Sequence, residues 1–114
     1  EIVITSVNNE GLKKGFDIPL TKKIVEKVSI PVIAHGGAGN LKQIYDVIRY
    51  AKVSGVGLAS ILHYDAIKFL PKVKTKIGNT SYLESIKKIS KQKNTIKEIK
   101  DFLKKKKIEI RNEK

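Results

Sequence analysis

The sequence predicts a parallel α/β fold. Three short apolar runs start near residues 2, 31 and 55, and each interval between them holds apolar residues at helical spacing. Strand, helix, strand, helix, strand in this order is the pattern of consecutive βαβ units. The three runs do not alternate polar and apolar residues, as strands with one face in water would. We therefore expect a sheet closed on both faces, either by helices in a doubly wound fold or by its own curvature in a barrel.

The first strand and the first helix are predicted within residues 2–28. Ile2-Val3-Ile4 is a β-branched run typical of a buried strand. A polar loop with glycines at positions 11 and 15 follows it. Proline suits the first turn of a helix, so we expect a helix to begin near Pro19. Four of its apolar residues are expected to face the sheet: Leu20, Ile24, Val25 and Val28.

A glycine run separates the second strand from the second helix. Residues 30–34 form an apolar run with a proline near its entry, and residues 36–39 read Gly-Gly-Ala-Gly. Asn40 is predicted to cap the second helix, and residues 55–59 are the third predicted strand. Right-handed crossovers would then place both helices on one face of the sheet. The apolar residues of the second helix are Leu41, Ile44, Tyr45, Ile48 and Ala51.

Most of the positive charge lies in the second half of the chain. Residues 1–64 hold 8 basic and 5 acidic side chains, whereas residues 65–114 hold 16 and 6, so +10 of the net +13 belongs to the second half. Capping-box spacing at Ser81 with Glu84, and at Thr95 with Glu98, predicts two further helices. The later helix has an apolar stripe of Ile96, Ile99, Phe102 and Leu103.

Composition excludes several classes of protein. The chain has no cysteine, which excludes a disulfide scaffold, a thiolate zinc site and a cysteine nucleophile, and it has only 2 histidines. No apolar run approaches the roughly 20 residues of a membrane helix, and the start does not resemble a signal peptide, so we expect a cytoplasmic protein. The chain also has no methionine and opens on an apparent strand. We therefore expect it to be a piece of a longer protein.

The candidate site lies where the predicted strands end, because parallel α/β proteins bind ligands beyond the carboxyl ends of their strands. Glycines at positions 36–39 before a capped helix favour phosphate, although a tight turn that needs glycine is an equally good interpretation. Ser60, after the third strand, favours phosphate. His35, His63 and Glu10 also follow strands, and each is compatible either with chemistry or with a packing or solvated role.

Four blocks of sequence in order closely resemble the cyclase subunit of imidazole glycerol phosphate synthase. They are residues 1–17, residues 30–39, Leu58 to Tyr64, and Thr95 to Leu103. The resemblance implies the C-terminal portion, about three βα units, of a TIM (β/α)8 barrel, with strands six to eight and their helices in residues 1–64. It also implies a lysine-rich insertion at 65–94 and a final helix and tail at 95–114.

The resemblance further implies a function in histidine biosynthesis. Such subunits take ammonia from a glutaminase partner to cleave and cyclise a phosphoribulosyl formimino aminoimidazole carboxamide ribotide. No cofactor or metal is implied, and the family's two acid/base aspartates lie on the first and fifth strands, outside this sequence. We therefore expect the isolated chain to lack cyclase activity. The residues that match substrate- or phosphate-binding positions are Gly36, Gly37, Ala59, Ser60, Glu10, Thr5 and Ser6.

Departures from the family keep two other functions open. Asn8 to Leu12 replaces a loop that usually reads Asp-Arg-Asp-Gly-Thr, His35 replaces a common serine, and residues 65–94 replace a short connection. Such changes occur in paralogues that, with an amidotransferase, modify a nucleotide-linked sugar for surface polysaccharide. A non-catalytic basic module that binds nucleic acid is the other alternative. We interpret the C-terminal lysines as a solvated face instead, because acidic residues are interspersed at helical spacing and aromatic residues are scarce.

Overall fold

The computed structural model describes residues 1–67 and 94–111. Within these residues, three parallel strands and four helices follow one another. The strands are β1 (Ile2–Thr5), β2 (Val32–His35) and β3 (Gly55–Gly57), and the helices are α1 (Ile18–Val25), α2 (Leu41–Ala51), α3 (Ser60–Ile67) and α4 (Ile96–Lys105). The predicted order of strands and helices is confirmed. Helix α3 was not predicted, because residues 60–67 have no clear apolar stripe, and the helix predicted from Ser81 lies outside the described residues.

The three strands form one sheet in the order β1-β2-β3, and both neighbouring pairs are parallel. The register places Val3 beside Ile33 and Thr5 beside His35, and His35 beside Gly57. Because successive side chains of a strand point to opposite faces, these residues share one face of the sheet. The carboxyl ends of all three strands therefore lie at the same edge.

The core lies on the opposite face of the sheet, under the helices. Val32 and Ala34 of β2 pack there against Ile44 and Val47 of α2, and all four are at most 2% exposed. Helix α4 adds two buried side chains at helical spacing, as its sequence predicts, and α3 adds another. These are Ile99, Leu103 and Ile61.

The predicted burial is wrong at several positions. Leu20 is 40% exposed because α1 turns Thr21, which is 3% exposed, towards the interior. Ile30 lies just before β2, and Ile96 is the first residue of α4. Both side chains are exposed. Closure of the sheet on both faces is also absent from the described residues, because Val3 is 60% exposed on the face that carries no helix.

The ends of the predicted insertion lie together. Asp65 is buried in α3, and its Oδ2 accepts a 2.6 Å hydrogen bond from Nδ2 of Asn94, just before α4. Thr95 then begins α4 with the predicted capping box. The boundary predicted after residue 64 falls within α3, and the division into three regions stays a prediction.

The predicted cap of α2 is confirmed, because Oδ1 of Asn40 accepts a 2.9 Å hydrogen bond from the amide of Gln43. We expect Asn40→Ala to lower the free energy of unfolding by about 1 kcal/mol, because an exposed amide at the helix start loses its acceptor. Asn40→Asp retains the acceptor and should stay close to the parent chain in urea denaturation. An equal loss in both variants would contradict the capping role.

Candidate functional site

A cleft opens at the carboxyl edge of the sheet, as the parallel topology predicts. It is small, because the space that it encloses is about 40 Å³, well below the volume of sites for drug-sized molecules. The loops that follow all three strands contribute to it. Its lining residues are Glu10, Gly11, Lys13, His35, Gly36, Gly37, Ala38, Gly57, Ala59 and Ser60.

The glycine run is shaped by the loop that follows β1. Gly37 has a φ of +101°. A Cβ at this position would overlap the carbonyl oxygen of Gly15 and would lie only 2.8 Å from the carbonyl carbon. The Gly15 amide donates a 2.8 Å hydrogen bond to the Gly37 carbonyl, and Asn9 Nδ2 donates one of 2.9 Å to the Gly15 carbonyl. Gly39 has a similar role, because a Cβ there would overlap the Lys13 carbonyl. A turn that requires glycine is therefore confirmed at Gly37.

The same turn provides backbone donors at the cleft. Gly37 and Ala38 are buried residues, and within the described residues neither donates its backbone N–H to another group. A backbone N–H without a protein acceptor bonds to water or to a bound anion. Ser60 is the first residue of α3, so its N–H belongs to the unpaired donors of a helix start. The need for glycine and the presence of backbone N–H groups without a protein acceptor thus coexist in one turn.

Lys13 is the one lysine or arginine among the lining residues, and sequence reasoning missed it. Its backbone has a φ of +55°, unusual for a side chain of this kind. Its carbonyl accepts a 3.4 Å hydrogen bond from Nε2 of Gln43, and its Nζ lies 4.1 Å from the centre of the Tyr64 ring. The adjacent Lys14 is exposed and does not line the cleft. The sequence gives no signal that distinguishes these two lysines.

His35 lines the cleft next to a glycine on the neighbouring strand. Its Nδ1 is 3.0 Å from Oγ1 of Thr5. A Cβ on Gly57 would lie 3.0 Å from Cδ2 of the ring, so this glycine makes room for the imidazole. Thr5 and His35 thus form a cross-strand pair at the end of the sheet.

The predicted site residues separate into two groups. The lining includes Glu10, Gly36, Gly37, Ala59 and Ser60, but it does not include Thr5 or Ser6. Ser6 is buried, and its carbonyl accepts hydrogen bonds from the amides of Asn9 at 3.1 Å and Glu10 at 2.9 Å. Thr5 and Ser6 therefore contact residues that line the cleft but do not line it themselves.

Other titratable groups lie outside the cleft. Asp17 caps α1, with its Oδ1 accepting a 3.0 Å bond from the Leu20 amide, and His63 is exposed on α3. The pKa of Lys42 is raised by its hydrogen bond to Asp46 and by the charge of that carboxylate, but this pair lies on α2. In residues 1–67 and 94–111, no group of acidic and histidine side chains could hold a metal ion, and no helix is long and apolar enough to cross a membrane.

The sheet and the cleft define a class of protein: a βα-repeat protein with a cleft at the carboxyl ends of its parallel strands, where proteins of this class bind ligands. The chain belongs to the family described as histidine biosynthesis protein, whose family model matches residues 1–68. The matched region includes all three strands and every residue that lines the cleft. The expected family resemblance is confirmed.

Two relatives show how much of the family's length is present. The chain is 47% identical over 64 residues to imidazole glycerol phosphate synthase subunit HisF of Microcystis aeruginosa, covering 56% of the chain and 25% of the relative. It is 49% identical over 74 residues to the subunit of the same name from Methanosphaera stadtmanae, covering 65% and 27%. The chain thus spans about a quarter of the length of these relatives. These matches favour neither the polysaccharide paralogue nor the basic binding module.

Proposed function

We propose that residues 1–67 form strands six to eight of a (β/α)8 barrel in a cyclase-type subunit of imidazole glycerol phosphate synthase. The observation that carries the proposal is the cleft built by the loops after three parallel strands, in a region that matches the histidine biosynthesis family. Both relatives bear the name of that subunit and support the same assignment. The reaction is the ammonia-dependent cleavage and cyclisation that the sequence resemblance implies.

The face of the sheet without helices supports closure into a barrel. Val3, 60% exposed, and the partly buried Ile33 lie side by side on this face. β-Branched residues of this kind fill the interior of a (β/α)8 barrel in layers. Gly55, opposite Ile33, would leave room there for side chains from other strands. In the proposed barrel this face is the interior, and the other strands cover it.

In the proposed role the cleft binds one phosphate group of the substrate. The N–H groups of Gly37 and Ala38 would donate to its oxygens, with the start of α3 at Ser60 nearby. Helix starts and glycine turns favour anions because their N–H groups and the helix dipole carry partial positive charge. Lys13 adds a full positive charge at the same cleft.

The proposed role of these residues is to bind substrate, with the acid/base chemistry supplied elsewhere. Glu10 is the one carboxylate among the lining residues, and no second carboxylate lines the cleft to share acid and base steps. The family resemblance places those aspartates on the first and fifth strands. A glutaminase partner would supply ammonia to the completed barrel, and no cofactor takes part.

The anion site is tested by changing the cationic residue at the cleft. We expect Lys13→Asn to weaken the binding of inorganic phosphate by roughly tenfold, because a charge-assisted hydrogen bond is lost. Asparagine tolerates the left-handed backbone that Lys13 adopts, so the fold is retained. Binding would be measured by calorimetric titration at fixed ionic strength.

Lys14→Asn is the matched control, because it removes the same charge from the next residue, which does not line the cleft. It should change phosphate affinity by less than about twofold, as expected for a screened surface charge. Equal losses in the two variants would show a general charge effect and would contradict a specific role for Lys13. Absence of phosphate binding by the parent chain would contradict the anion site itself.

A further inference from the structure

We infer that His35 is a ligand-binding residue of the cleft, where Nε2 donates to a dianionic oxyanion of the phosphate or sulfate type and Thr5 fixes the ring. The inference rests on the proposed function, because it assigns a further donor to the same anion site. It makes binding depend on the charge of an imidazole. The family resemblance has serine at this position, so this donor would be specific to the chain.

Of the two ring nitrogens of His35, Nε2 is the one available to a ligand. Nδ1 lies 3.0 Å from the Thr5 hydroxyl, and His35 has no other side-chain hydrogen bond among the described residues. Every buried side-chain nitrogen or oxygen in those residues has a partner, so Nε2 is in contact with solvent. His35 lines the cleft, and solvent reaches the ring there.

The Thr5 hydroxyl is compatible with a proton on Nε2 in both charge states of the ring. In the neutral ring the hydroxyl can donate to Nδ1, which leaves the ring proton on Nε2 and makes Nε2 a donor. In the imidazolium form both nitrogens donate, and the hydroxyl accepts from Nδ1. A bound oxyanion would select the neutral tautomer that carries its proton on Nε2, and protonation of the ring then adds a positive charge to the same hydrogen bond.

His35 is the one histidine among the residues that line the cleft. The loop after β1 contributes Glu10 and Lys13 to the cleft, β1 contributes the uncharged Thr5, and β3 contributes Gly57. Ser60 at the start of α3 is also uncharged. Imidazole is the side-chain group whose ordinary charge change lies nearest to neutral pH, so a pH-dependent affinity in this range would report on an imidazole.

Sulfate is the probe, because it remains a dianion throughout this range, whereas phosphate titrates itself. Titrations would be followed through the amide NMR signals of residues 36–38 at constant ionic strength. For the parent chain we expect sulfate to bind more tightly at pH 5.5 than at pH 7.5, by up to about tenfold, because an imidazolium makes a charge-assisted bond and a neutral imidazole makes a neutral one. The sign follows from the charge: the imidazolium form at lower pH binds the dianion more tightly.

Two histidine variants separate this inference from its alternatives. His35→Ser should bind sulfate with little pH dependence, and it introduces the residue that the family resemblance implies there. His63→Gln is the matched control, because the chain has only 2 histidines and His63 is exposed outside the cleft, so it should keep the parent profile. Thr5→Val should reduce the pH-dependent part of binding, because it removes the hydroxyl that holds Nδ1.

The outcomes distinguish the inference from the proposed function. Sulfate binding that is independent of pH in the parent chain, or a pH dependence that persists in His35→Ser, would overturn the role of His35 and leave the anion site standing. If the pH dependence is lost in His63→Gln, the effect belongs to His63 and not to His35, and the inference is also overturned. No sulfate binding at any pH would overturn the anion site and this inference together.

Discussion

Gly37→Ala is expected to lower the free energy of unfolding by at least about 3 kcal/mol and to abolish phosphate binding. The new Cβ would overlap the carbonyl of Gly15, and it would also lie 3.1 Å from the Cβ of Asn9. Since Gly15 and Asn9 are held by hydrogen bonds, the loop after β1 would have to move away from the glycine turn. That movement displaces both sides of the cleft. Urea denaturation and phosphate titration would measure the two effects.

Gly11→Ala is the matched control for this prediction. Gly11 also has a positive φ, +73°, but a Cβ there would meet nothing within 4 Å. The substitution therefore isolates the strain of the left-handed backbone, which costs about 1 to 2 kcal/mol. If Gly11→Ala is as destabilising as Gly37→Ala, the close approach between the two loops is not the reason that Gly37 is required.

Supplying the first five βα units is expected to change the chain from inactive to active. The units would come from the Methanosphaera stadtmanae relative, which is 49% identical over the region that it shares with this chain. Alone, the chain should form no imidazole glycerol phosphate in excess ammonia, because the proposed acid and base residues lie on strands it does not contain. Together, the two polypeptides should form a 1:1 complex with ammonia-dependent turnover.

The controls use the same two polypeptides. The five units alone should be inactive, because they lack the phosphate cleft, and their mixture with the Gly37→Ala chain should also be inactive. Product formed by the isolated chain would contradict the proposed division of roles. A stable 1:1 complex that binds phosphate but does not convert the substrate would contradict the proposed reaction and leave the barrel intact.

Local signals in the sequence were sufficient for most of the fold. The caps at Asn40 and Thr95 bind the amides that their spacing predicts, and the apolar positions of α2 face the sheet. These features depend on residues three or four positions apart within one helix. The burial predicted for Leu20 is wrong: Leu20 lies within the predicted stripe of α1, but the helix turns Thr21 inwards and leaves Leu20 40% exposed.

The candidate site divides in the same way. Glycines and a serine after strands indicate an anion site, because parallel topology collects strand ends at one edge. That Lys13 lines the cleft and that Thr5 pairs with His35 could not be obtained in this manner. Nothing in the sequence distinguishes Lys13 from Lys14, and the hydrogen-bond partner of Thr5 is His35, 30 positions away. Such contacts depend on the path of a loop and on the register of two strands.

The sequence by itself determined the strand order, the helix caps, the family and the edge at which a ligand would bind, because each depends on local pattern or on the hand of βαβ connections. Only the tertiary structure decided that Gly37 is required by the approach of Gly15, that Lys13 and not Lys14 faces the cleft, and that Thr5 holds His35. It also decided which face of the three-stranded sheet the helices cover. These features arise from side chains and loops distant in sequence, whose positions are fixed only when the chain packs.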